Sequence, residues 1–280
     1  LPMQPLLLLV LAVWVATGRF SALECVALAV GTGLVTGGSG ITIAHELMHR
    51  RSRLDRALAE LLMTTVLYPW FCIEHVQGHH KTVSTPDDPA FSPRGQSLYA
   101  YLPQTLAGGL RSAWRIETRR VRKRDVPVWG DRRIRHTLLL VGLLALVSTA
   151  GAAVFAVFMG QAVVAVVLLE TINYVEHYGL HRRLRPNGRY ERVGAQHSWN
   201  TPALVSNRYL FNLQRHADHH AFAARPYHQL RNLPDSPTLP AGYPTMVILA
   251  LVPPLWFSMM HARIDNLDGH GVKPLHTPAS

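Results

Sequence analysis

The chain has 280 residues, of which 48% are hydrophobic and 16% charged. Soluble domains usually carry about 25% charged residues, so a soluble secreted or cytosolic globule is disfavoured from the start. Lysine and arginine exceed the acids by eleven, which calls for an acidic partner, nucleic acid or an anionic membrane surface. The two cysteines, Cys25 and Cys72, lie in apolar stretches with no C-x-x-C pair. That excludes a disulfide scaffold, a zinc ribbon and any cysteine-ligated iron module within this chain.

The apolar residues come in blocks. Residues 1–17 are almost wholly apolar and end at the turn Gly18-Arg19. They lack a basic leader, and a second apolar block follows at once, so they read as a membrane span rather than a signal peptide. Because the chain opens on Leu1, an N-terminally truncated protein is expected. The second block, 23–44, carries one acid at its start, Glu24, and is long enough to span. Residues 57–73 are shorter and contain Glu60 and Pro69, which suits an interfacial helix. Residues 137–169 hold no charge over 33 positions, too long for one span. Dividing them at Gly160-Gln161 gives two spans, 137–159 and 161–178.

Orientation follows from the arginines. Residues 50–56 hold four arginines and one acid, and residues 111–135 hold ten basic residues against Glu117, Asp125 and Asp131. Both runs belong on the cytoplasmic side by the positive-inside rule, and the second could also receive an acidic redox partner. The expected fold is an all-α integral membrane protein: one domain over 1–280, four spans, one interfacial helix and a cytoplasmic helical cap over 179–280. In that cap the apolar stretch 245–260 is broken by Pro253-Pro254 and reads as a cover rather than a span.

Nine of the sixteen histidines are clustered. His45 and His49 stand at i, i+4 near the end of the second block, on one helix face where two imidazoles can share a metal. His75 and His79 repeat that spacing, with His80 adjoining. His177 closes the last span in Asn173-Tyr174-Val175-Glu176-His177. His216, His219 and His220 combine i, i+3 and i, i+4. Nine imidazoles are too many for one ion and suit two; ligand type alone leaves iron, zinc, copper and nickel open. Glu74, Glu176, Asp218 and Asn173 sit beside these histidines, where they could accept from ring N–H groups or ligate directly, the former being preferred. His181 and His197 lie close enough for a supporting role. His136, His228, His261, His270 and His276 have ordinary surface or interfacial readings.

His45-Glu46-Leu47-Met48-His49 also matches the zinc metalloprotease pattern, but a protease site would leave seven clustered histidines unexplained. A membrane metal transporter would line the bilayer midplane with ligands, whereas all nine histidines here are expected at helix ends on one face. Trp14, Leu34, Tyr68, Phe71 and Tyr174 could line a substrate tunnel, although packing or lipid contact is the more ordinary role of each.

Taken together, the boxes H-x-x-x-H, H-x-x-x-H-H and H-x-x-H-H resemble those of the membrane di-iron superfamily of fatty acid desaturases and hydroxylases. Residues 173–180 (NYVEHYGL) and 213–221 (LQRHADHHA) resemble its bacterial alkane 1-monooxygenase branch, as do Gly188-Arg189-Tyr190-Glu191, His197-Ser198-Trp199-Asn200 and residues 239–244. The resemblance implies two non-haem iron ions held by the nine histidines. It further implies O₂ as oxidant and hydroxylation of the terminal carbon of an n-alkane. Electrons would come from rubredoxin and its reductase, and the enzyme would lie in the bacterial inner membrane with its active site facing the cytoplasm. Nucleic acid has no part in it. The related alternative is an acyl desaturase, or a hydroxylase of alkyl-aromatic or fatty acyl substrates. The departures are the short stretch before His45, His181 where an apolar residue is common, and Met48 and Arg50 around the first box.

Overall fold

The computed structural model describes residues 3–269, and His270 and His276 lie outside them. Among the described residues every regular element is helical, with two isolated bridges, Leu184 to Tyr190 and Asn200 to Thr238, in the connecting segments. The chain divides into two compact units, one formed by 1–80 with 107–170, the other by 81–106 with 171–280.

The first unit opens with α1 (Met3–Ala16), α2 (Ala22–Val35) and α3 (Ile41–Met48). Ser21 caps α2, its hydroxyl accepting from the Glu24 N–H while the Glu24 carboxylate accepts from the Ser21 N–H. A π-turn, Thr36–Gly40, joins α2 to α3, so 22–48 is one continuous helical run of 27 residues. At 1.5 Å per residue that is roughly 40 Å, more than the hydrocarbon thickness of a bilayer. Next come α4 (Arg53–Thr65), α5 (Phe71–Glu74), a second π-turn at His75–His79 and the short α6 (His80–Thr82). The long α7 (Leu98–Arg124) gives its first residues to the second unit and the rest to the first. Then α8 (Arg132–Ser148) and α9 (Ala152–His177) follow.

Among the described residues two helical runs, Ala22–Met48 and Ala152–His177, are long and apolar enough to cross a membrane. At 14 residues α1 is apolar but short, and α8 spends its first turn on Arg132, Arg133 and Arg135.

The expected division at Gly160-Gln161 is not where the chain turns. Residues 149–151 form the break, with Gly151 in the left-handed region at φ 98°, and Gly160 and Gln161 lie inside an unbroken α9. The reason is packing. Gly160 lets α2 approach closely, because a Cβ there would stand 2.9 Å from the Ala29 Cβ. Gln161 is fully buried and paired, accepting from the Thr36 hydroxyl at 2.9 Å and donating to the Thr65 carbonyl at 2.9 Å. The interfacial helix also shifts. It starts at Arg53 on a Ser52 cap and stops at Thr65, and Leu67 at φ 58° ends it before Pro69 starts the next turn. Its face is amphipathic: Ala59, Leu62 and Met63 are buried, whereas Leu54 and Leu61 are exposed.

Small residues bring the long helices together. Gly33 and Gly37, four apart on one face, meet Val164 and Ala165 of α9. Beside them α1 is tied down by Gln4, which donates to the Thr65 hydroxyl at 2.7 Å. Leu11, Val15, Ala29, Val154 and Val157 form an apolar cluster next to this polar set.

The second unit carries α10 (Leu204–Tyr209), α11 (His216–Ala221), α12 (Tyr243–Ala250) and α13 (Pro253–Gly269), with the end of α9. The break at Pro253-Pro254 is present as expected, the prolines starting α13 where a missing N–H costs nothing. Its core is aromatic: Tyr101, Tyr174, Tyr178 and Trp256 have ring centroids 5.1–5.3 Å apart in successive pairs.

Candidate metal centre

In the first unit, α3 delivers His45 and its end delivers His49, while the second π-turn and α6 deliver His75, His79 and His80. His45, His49, His75 and His80 each bring a ring nitrogen within 4.8 Å of the others. The His45 and His75 Nε2 atoms are 2.9 Å apart, and those of His80 and His75 are 3.1 Å apart. The π-turn produces the second pair. The His80 N–H donates to the His75 carbonyl, a five-residue step that brings position i+5 back over position i. In an α-helix that step would turn the two rings by about 140°. His79, buried, stacks on His75 with ring centroids 5.2 Å apart. Burial first, and then the neighbouring imidazoles, hold His75 well below the ordinary histidine range; burial and His79 take His49 down to about 3. Both rings are therefore neutral at pH 7 and carry a lone pair.

Within the second unit, His177 at the end of α9 meets His216 and His220 of α11. The His216 Nε2 stands 3.2 Å from the His177 Nε2 and 2.9 Å from the His220 Nε2. His219 lies one turn along, its ring centroid 5.5 Å from that of His216. His177 Nδ1 donates to the His197 carbonyl at 3.0 Å. A carbonyl only accepts, so that nitrogen holds the proton and the Nε2 of His177 presents a lone pair to the cluster. Ser84 donates to the same carbonyl at 3.0 Å and fixes it.

The expected supporting residues divide. The Glu176 carboxylate stands 3.1 Å from the His216 Nε2, and both groups are buried. Glu74 is buried one residue before His75, and Asn173 one turn before His177. Asp218 is held by arginines. It pairs with Arg225, accepts from the Arg231 N–H at 3.0 Å and lies 3.3 Å from the Arg231 guanidinium. Burial would raise its pKa, but these hydrogen bonds win and hold the carboxyl below its ordinary value. Asp218 thus anchors the helix that carries three histidines. His197 acts through its backbone carbonyl, while its ring accepts from the Gly194 N–H and faces Glu191 at 3.1 Å.

Sequence reasoning passed over Glu170, the first ionisable residue after the uncharged block. It is buried in α9 and accepts from the Tyr68 hydroxyl at 2.9 Å. A carboxyl within a membrane-length helix is itself a signal of a partnered or functional group. Tyr68 is therefore held in place by this bond.

The donor set fits a transition metal. Imidazoles converge by their Nε2 atoms in each unit, and a ring nitrogen without a proton cannot satisfy another through a hydrogen bond. In the first unit one His75 nitrogen faces two others at once. Cys25 and Cys72 are free thiols and take no part in these clusters.

Residues 21–250 match the fatty acid desaturase family. Alkane 1-monooxygenase 1 of Pseudomonas aeruginosa is 49% identical over 235 residues, covering 83% of this chain and 62% of that protein. Alkane 1-monooxygenase of Ectopseudomonas oleovorans is 38% identical over 271 residues, 96% of this chain and 67% of that protein. The hydroxylase component XylM of the Pseudomonas putida xylene/toluene monooxygenase is 30% identical over 229 residues, 81% of this chain and 60% of that protein. This chain spans about three-fifths to two-thirds of the length of these curated relatives. With the family match over most of its length and histidine clusters built to hold metal, the chain belongs to the fatty acid desaturase family, on its alkane 1-monooxygenase branch.

Proposed function

We propose that the protein is a non-haem di-iron monooxygenase that hydroxylates the terminal carbon of n-alkanes, using O₂ and electrons from reduced rubredoxin. The observation that carries the reading is the convergence of imidazole nitrogens, in a chain up to 49% identical to alkane 1-monooxygenases. On this proposal His45, His49, His75, His79, His80, His177, His216, His219 and His220 are the iron ligands. Two irons, when bound, supply the O₂ activation that no side chain provides.

The chain's own contribution is placement. The His197 carbonyl fixes the His177 tautomer, and the Glu176 carboxylate, beside the metal-facing Nε2 of His216, is placed to ligate directly. Asp218, through Arg225 and Arg231, keeps α11 in position. Apolar helices around the clusters exclude water and offer a route suited to an alkyl chain. The absence of any C-x-x-C pair supports an external electron donor, and the basic α7 and the start of α8 offer charge to an acidic one. The arginines at 50–56 and 111–135 support a cytoplasmic site in a bacterial inner membrane, with α8 and α9 forming an out-and-back hairpin and α1 a fourth, short span. The match to a xylene/toluene monooxygenase component supports a second reading, hydroxylation of an alkyl-aromatic substrate.

The test is conversion of octane, dodecane and hexadecane by cells that express the protein with rubredoxin and its reductase, beside metal analysis of the purified protein. Production of 1-alkanols with two irons per chain is expected. Xylene turnover without alkane turnover would favour the second reading, and one zinc per chain would defeat both.

A further inference from the structure

A cavity of about 1100 Å³ opens in the first unit between the end of α3, α4, the C-terminal half of α7 and the start of α8. Eight arginines line it against one acid, Glu60. Some of that charge is matched: Arg50 pairs with Glu46, Arg120 and Arg132 with Glu117, and Arg135 with Glu60. Among the described residues four are matched by no carboxylate: Arg56 donates to the Arg50 and Arg51 carbonyls, and Arg51, Arg53 and Arg124 are exposed and form no ion pair. Five positive charges therefore remain in excess over the three acids that pair into the cavity wall.

Its other wall is apolar. Leu61 of α4 and Leu139 of α8 line the cavity and remain 46% and 38% exposed. Two turns beyond Leu139, on the same side of α8, Leu146 is also exposed, so an apolar track leaves the arginines along the helix. At the rim, beside the lining residue Gly130, Trp129 is 85% exposed. An exposed tryptophan between a basic segment and an apolar helix marks the depth of lipid headgroups.

We propose that this cavity binds the headgroup of an anionic phospholipid, its phosphodiester held by Arg51, Arg53 and Arg124 and its acyl chains lying along Leu61 and the outer face of α8. Guanidinium groups pair with phosphate through two parallel N–H bonds, which suits arginine over lysine here. The volume lies at the upper end of ligand pockets, about 300–1000 Å³, and is far larger than a free phosphate requires. The apolar track gives a lipid something that a soluble anion cannot use. Met48 and His49 also line the cavity, so a bound lipid would cover the end of the helix that carries two of the clustered histidines. The inference is independent of the substrate proposed above.

Native mass spectrometry tests it on the full chain released from nanodiscs of equimolar phosphatidylglycerol and phosphatidylcholine. The protein should retain phosphatidylglycerol selectively. The triple variant Arg51→Gln/Arg53→Gln/Arg124→Gln should lose that retention by at least about tenfold. A control triple on α7 outside the cavity, Arg115→Gln/Arg119→Gln/Arg122→Gln, should retain it like the parent. The single variant Arg124→Gln keeps the test open if the cavity triple unfolds, and should show a partial loss. Equal loss in both triples would mean diffuse surface charge and overturn the site. Displacement by inorganic phosphate would reassign the site to a soluble anion. If the cavity triple kept its lipid but no longer bound an acidic protein such as rubredoxin, the cavity would be a protein dock and the proposal would fail.

Discussion

His177 holds its ring proton on Nδ1, because the His197 carbonyl opposite can only accept. Replacing His177 with alanine removes one proposed ligand and leaves α9 intact. We expect iron content to fall and alkane turnover to vanish while membrane insertion is unchanged; full iron loading in the variant would show that His177 is not a ligand. Glu117 makes a different case. Burial would raise its pKa, but hydrogen bonds from Arg120 and Arg132 outweigh this and bring it down to about 2. Because the folded value is depressed, the stabilisation is complete above the unfolded value and is lost as pH falls through about 2. Glu117→Gln leaves two guanidinium groups short of a partner. It should cost about 2–3 kcal/mol, the scale of charged hydrogen bonds, read as a lower thermal midpoint in detergent at pH 7. Below pH 2 the variant and parent should converge, and a gap that persists there would reject the charge argument. At this scale the nine clustered histidines were legible from spacing and box pattern alone. Glu170 was overlooked because it lay one residue beyond an uncharged block. The His197 carbonyl was not legible at all, since any residue type carries one.

Among the elements, the helices of membrane length were readable from their apolar runs, and the exact join between them was not. Gly160-Gln161 looks like a breaker pair, yet Gly160 serves close packing and Gln161 serves an interhelical hydrogen bond. The real turn used Gly151 and a left-handed backbone. The two π-turns also escaped the sequence, because a five-residue hydrogen bond leaves no periodic signature over so short a stretch. The packing role of the glycines can be measured. A side chain at Gly37 would bring a Cβ within 2.9 Å of the Ala165 Cα, which is backbone and cannot step aside. Gly37→Leu should destabilise by about 1–3 kcal/mol through overpacking. Gly31, six residues earlier and facing open space, should accept alanine with a change of less than about 1 kcal/mol. Equal effects at the two positions would mean that the α2–α9 approach is not set by glycine.

Over the whole molecule, the +11 charge gathers in the segments that flank apolar helices, so it reports topology before it reports a partner. Single cysteines give a direct readout against a Cys25→Ser/Cys72→Ser background. A cysteine at Gly151, the α8–α9 turn, should react with an impermeant maleimide added outside intact cells. One at Arg122 should react only after the cells are opened. The reverse pattern would invert the proposed orientation.

The polar contacts of α1 set an order on assembly. Gln4 is the amide in an otherwise apolar α1, and its donors reach Thr65 and the Leu62 carbonyl, about sixty residues further along the chain. The ribosome makes α1 before α4, so until α4 emerges Gln4 has none of those acceptors and an unsatisfied amide in hydrocarbon is costly. Thr36 waits longer still, since its partner Gln161 is 125 residues downstream. On the proposed four-span reading the early helices enter the bilayer as loosely held segments and lock only when α9 is in place, which makes synthesis of the late hairpin the committing event in the folding of this unit.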